Sequence, residues 1–157
     1  MKHTIIFSAF LVSSCAVTNP SYNQSGLAPE ELARVKTYVV PWLKNGHSAS
    51  INRVYSESGN LLLGSNSLFS NEGAFLGVTL EPGKYHFDTR CDDGFTYSFP
   101  KVTAEVKGGV SYILFCERII EEKAFLGLNQ IRANRVKIIE EKDFSPDIIS
   151  DTRYEKE

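Results

Sequence analysis

Residues 84–91 read Lys84-Tyr85-His86-Phe87-Asp88-Thr89-Arg90-Cys91. Tyr85, Phe87, Thr89 and Cys91 occupy every second position, and His86, Asp88 and Arg90 fill the places between. A strand, with its two-residue period, turns this order into one inward and one polar face. Turn signals bound it on both sides. Glu81-Pro82-Gly83 before it suits a type II turn, with Pro at the second position and Gly at the third. Asp92-Asp93-Gly94 after it is a hairpin signal.

The same pattern continues outward. Val110, Tyr112, Leu114 and Cys116 share one face of a second strand, while Ile113 and Phe115 occupy the other, so this strand is expected to be covered on both sides. Lys107-Gly108-Gly109 turns the chain ahead of it. Further strands are expected at 32–40, 50–57, 61–64, 74–80, 95–99 and 101–106, and a last one at 134–141. Pro100 marks an edge position or a bulge. Residues 117–131 mix charge and apolar runs, and 125–131 fit a strand or a helical turn equally. Ser145-Pro146-Asp147 has the order of a helix start, predicting a short C-terminal helix. The fold class expected is therefore mainly all-β, an antiparallel β-sandwich of about seven to eight strands.

The chain has 157 residues and a formal net charge of −2. One domain suits that length, and a 42% hydrophobic composition is too apolar for a disordered chain. Without a Lys/Arg cluster, and with a pI near 5.9, nucleic acid is not an expected partner. No apolar run approaches the ~20 residues of a membrane span.

The N-terminus points to an address. Met1-Lys2-His3 is a basic start, and Thr4–Val12 is an apolar stretch of the length found in secretory signals. Val12-Ser13-Ser14-Cys15 resembles the lipobox of bacterial lipoproteins. The resemblance implies a signal peptide over 1–14, a diacylglyceryl group on the Cys15 sulfur, and cleavage before it. Several acyl chains, at ~0.8 kcal/mol per buried CH₂, make a stable anchor. Ala16, rather than Asp, after the cysteine implies outer-membrane sorting in a double-membrane bacterium, the domain facing the periplasm. Residues 15–31 are expected to be a flexible tether with a reach of roughly 20 Å. The sandwich is expected over 32–142, and a charged tail over 143–157.

With Cys15 lipidated, Cys91 and Cys116 remain as an even pair in an oxidising compartment, and both share a face with core residues. A disulfide between them is expected. It closes about 24 residues and contributes roughly 3–4 kcal/mol in the chain-entropy picture. The rival use of these residues is a metal site with His86, Asp88, Asp92 and Asp93, but no ligand pair has metal-site spacing. Neither a metal nor another cofactor is expected.

The stretches Val78–Phe87, with Pro82-Gly83-Lys84-Tyr85, and Val106–Leu114, with Gly109-Val110-Ser111-Tyr112, resemble PEGA-like domains and small lipoproteins with transthyretin-like sandwiches. The likeness covers about residues 33–118. It implies a fold and no reaction.

Nothing in the sequence has the arrangement of a catalytic site. No Gly-x-Ser-x-Gly is present, no glycine-rich phosphate loop opens a helix, and the adjacent carboxylates point to opposite strand faces. The expectation is a non-catalytic accessory or structural module of the bacterial envelope. It is held to the membrane by lipid and binds an envelope protein, with sheet edges near Pro100 open to a partner strand. The alternative is a module for carbohydrate or peptidoglycan, or an inhibitor of a cell-wall lytic enzyme. Tyr85, Phe87, Phe95, Tyr97, Phe99, Tyr112 and Phe115 are assigned to the core by their alternation. Trp42, with Tyr38 or Tyr55, is the expected ligand surface.

Overall fold

The computed structural model describes residues 19–41, 46–64, 74–95, 97–125 and 128–150. In chain order the strands are β1 (Ser21–Tyr22), β2 (Ala33–Thr37), β3 (Ser48–Ser56), β4 (Leu61–Leu63), β5 (Gly77–Leu80), β6 (Gly83–Asp92), β7 (Tyr97–Ser98), β8 (Lys101–Val106), β9 (Ser111–Phe125) and β10 (Leu128–Glu140). A 3₁₀ turn (Glu141–Asp143) and a short helix α1 (Asp147–Ser150) follow. One sheet has the order β1-β5-β2-β9-β10, and the other β4-β3-β6-β7, with β8 also on β6. The sandwich is thus two sheets of five strands. It is antiparallel except where β1 meets β5 and β2 meets β9.

β6 is the strand that its alternation predicts. Tyr85, Phe87, Thr89 and Cys91 are buried, while the residues between them are not. Val35, Val78, Leu80 and Leu114 of one sheet meet Ile51, Val54 and Phe87 of the other in a single core. Each such side chain contributes about 1.5–3 kcal/mol on burial. The disulfide is present: Cys91 on β6 and Cys116 on β9, with Cα atoms 5.9 Å apart, join the two sheets.

β9 is covered on both faces. Tyr112, Leu114 and Cys116 lie in the core. Phe115, on the other face, is buried beneath Phe144, the ring centroids 5.5 Å apart. Phe144 also meets Tyr38 at 5.1 Å. The chain after β10 therefore folds back as a lid on the outer face of this sheet.

The turns ahead of β6 and β9 share one device. The Tyr85 hydroxyl donates to the Glu81 carbonyl at 2.9 Å. The Tyr112 hydroxyl accepts from the Lys107 N–H, also at 2.9 Å. In each case a core tyrosine fixes the backbone of the turn just before its own strand. Gly108 has no room for a side chain, because a Cβ there would lie 2.5 Å from the Glu31 carbonyl oxygen. Gly109 follows with φ +71, which favours glycine.

Several expectations are corrected. Gly83 lacks the left-handed φ of a type II turn. It already pairs with Val106 as the first residue of β6, and the ladder demands extended backbone there. Part of the expected tether is sheet: Ser21 and Tyr22 pair with Thr79 and Leu80. Asn23 holds the turn that follows by accepting the Leu27 N–H and donating to the Leu27 carbonyl. Of the uncertain stretch 117–131, the described residues 117–125 and 128–131 are strand, in β9 and β10, rather than helix. Pro100 marks an edge and not a bulge, because β7 and β8 continue on β6 in one unbroken register. The short helix forms where Ser145-Pro146-Asp147 places it.

Candidate functional site

The outer face of β3, β6 and β8 is built from the polar half of the β6 alternation. Register sets it out in rows. Tyr55 of β3 and Thr103 of β8 flank His86, and Arg53 and Lys101 flank Asp88. The His86 Nδ1 lies 2.7 Å from the Thr103 hydroxyl. The Asp88 carboxylate accepts from the Tyr55 hydroxyl at 3.4 Å and faces Lys101 at 3.3 Å and Arg53 at 3.8 Å. Tyr55, His86, Asp88, Lys101 and Thr103, with Gly59 and Val102, line an open depression of about 500 Å³. Imidazole, carboxylate, phenol, hydroxyl and ammonium groups meet here without a buried charge. Such a surface suits hydrogen bonding to a polar partner.

Beside these rows stands an aromatic ledge. Phe95, Tyr97 and Phe99 are 96%, 64% and 59% exposed. The Tyr97 and Phe99 rings meet edge to face at 5.5 Å. The Arg90 guanidinium lies 5.1 Å from the Tyr97 ring centre and pairs with Asp92. This contradicts the assignment of these three rings to the core, whereas Tyr85, Phe87, Tyr112 and Phe115 are buried as expected. The reason is parity through the turn. Tyr97 pairs with Asp92. Cys91 points inward, so Asp92 and its partner point outward.

The ledge turn is tied down. The Asp92 carboxylate accepts the Gly94 N–H at 2.7 Å, and Asp93 accepts the Phe95 N–H at 2.9 Å. The other Asp93 oxygen lies 3.4 Å from Nε2 of His47, which is buried. His47 therefore braces the loop that carries Phe95. Ser48, next in sequence, turns its hydroxyl to accept the Val40 N–H at 3.0 Å.

The expected ligand residues are not brought together. Tyr55 lies in the depression. Tyr38 packs on Phe144 at the outer face of the other sheet. Trp42 and Cys15 lie outside the described residues. The rival metal reading does not assemble either, because Cys91 faces inward in its disulfide while His86 and Asp88 face out. Among the described residues no group of three His, Cys, Asp or Glu is placed to hold a metal ion. No protein-family profile, curated protein or solved structure matches this chain.

Proposed function

We propose that this chain is a lipid-anchored, non-catalytic binding module of the bacterial envelope, presenting the outer face of β3, β6 and β8 to an envelope protein. Val12-Ser13-Ser14-Cys15, after its apolar stretch, supports the anchor at Cys15 and an outer-membrane, periplasm-facing location. The PEGA-like and transthyretin-like resemblance belongs to the same reading, since it implies a fold and no reaction. The single observation that carries the binding role is the adjacency of the polar rows around Asp88 to Arg90 and the exposed Phe99. Tyrosine, phenylalanine and arginine are enriched in the cores of protein interfaces.

A second reading rests on the depression itself. Tyr55, His86, Asp88 and Thr103 offer the donors and acceptors that sugar hydroxyls require, which favours a glycan or peptidoglycan ligand. Photo-crosslinking in living cells from position 103 separates the two. One reproducible protein adduct, lost in Asp88→Ala, supports the first reading. A glycan adduct supports the second. No adduct of either kind overturns both.

A further inference from the structure

We infer that one pole of the sandwich is a bilayer-docking surface, where Phe95, Tyr97, Leu76 and Val39 enter the headgroup region of a lipid membrane. The choice of lipid as occupant rests on the anchor at Cys15 proposed above.

The topology gathers these residues. β1 runs parallel to β5, so the start of the described chain lies beside the start of β5: the Pro20 carbonyl accepts the Thr79 N–H. Leu76 immediately precedes β5, and its carbonyl accepts the N–H of Thr37 at the end of β2. The Tyr38 carbonyl accepts the Ala49 N–H at the start of β3. Ser48 pairs with Asp92 at the end of β6, and Asp92 with Tyr97. One end of the sandwich therefore holds Asn19, Val39, Leu76, Phe95 and Tyr97, with Phe99 stacked behind Tyr97. Every apolar side chain among these is exposed.

The occupant follows from where the chain leaves. Only four peptide steps separate Asn19 from Cys15, about 14 Å fully extended. An acylated Cys15 thus holds this pole within about 14 Å of the bilayer, inside the roughly 20 Å reach of the 15–31 tether read from sequence alone. Aromatic and aliphatic side chains beside cations are the composition of an interfacial surface. Among the described side chains at this pole, Asp92 is paired with Arg90, Asp93 with His47, and Glu117 with Lys137.

The test uses unlipidated mature chain, residues 16–157, which contains every described element. It is floated with vesicles of phosphatidylethanolamine and phosphatidylglycerol. The expected result is co-flotation that persists at high salt and falls at least tenfold in Phe95→Ser/Tyr97→Ser. Leu76→Ser, just before β5, gives a smaller drop in the same direction, and Lys84→Ser, at the opposite end of β6, gives none. Unfolding curves establish that each variant is folded. No flotation of the unlipidated chain, or equal flotation of the folded pole variants, overturns the proposal. Loss of a protein crosslink in the pole variants with flotation unchanged makes the pole a protein contact instead. The mass of Cys15 in cell-derived protein is read separately, so failure of the anchor and failure of the docking surface are distinguishable.

Discussion

Cys91 and Cys116 join the two sheets at the same level where Ser48 begins β3, the Cys116 sulfur lying 3.8 Å from the Ser48 carbonyl oxygen. The bridge closes a sequence separation of 25 residues, which corresponds to roughly 3–4 kcal/mol of lost unfolded-state entropy. Cys91→Ala/Cys116→Ala is expected to lower unfolding free energy by about that amount. Urea denaturation with and without reductant measures it. A wild-type midpoint insensitive to reductant, with both thiols shown free, contradicts it.

Tyr85 predicts a pH dependence. Burial, with Glu81 and Tyr22 adding to it, pushes its phenol above the ordinary value of 10.0. The folded state then favours the protonated form more than the unfolded state does. This contribution is fully present below pH 10 and is lost as pH rises through the higher folded value. Stability is expected to fall above pH 10. Tyr85→Phe costs about 1 kcal/mol at neutral pH by removing the bond to Glu81 and flattens the alkaline slope. Denaturation midpoints from pH 8 to 11 read both effects.

The two glycine turns differ in kind. A Cβ on Gly108 meets the Glu31 carbonyl oxygen, whereas a Cβ on Gly59, at φ +86, meets nothing within 4 Å. Gly59→Ala is expected to cost about 1–2 kcal/mol, from strain alone. Gly108→Ala is expected to cost more, because backbone must move. Equal losses in thermal unfolding contradict this ordering.

Phe144 closes the outer face of β9 over Phe115 and Tyr38. Phe144→Ala is expected to lower stability by about 2 kcal/mol, less than for a fully buried ring. It also increases protection loss at β9 and β2 amides, measured by hydrogen exchange. Unchanged exchange there contradicts the lid.

The sequence made part of this visible. The β6 alternation, the disulfide and the burial of both faces of β9 follow from a two-residue period and an inward cysteine. The aromatic ledge was misread because Phe95, Tyr97 and Phe99 alternate equally well on either face. The missing quantity was the length of the turn, which pairs Asp92 with Tyr97 and so fixes the parity. β1 left no signal, since two residues in parallel pairing have no period. The long hairpin was hidden because Glu121 and Glu122 interrupt the apolar pattern where β9 leaves the core. Tyr55 reached the candidate site, but the rows around Asp88 needed the register of three strands to be seen.

The most direct measurement is the mass of the N-terminal peptide of full-length chain expressed in a double-membrane bacterium and recovered from its membranes. The expected peptide begins at Cys15 and carries a thioether-linked diacylglyceryl group and an N-acyl chain. A mature protein that begins elsewhere, with an unmodified Cys15 thiol or none, contradicts the lipid anchor on which the membrane-held module is built.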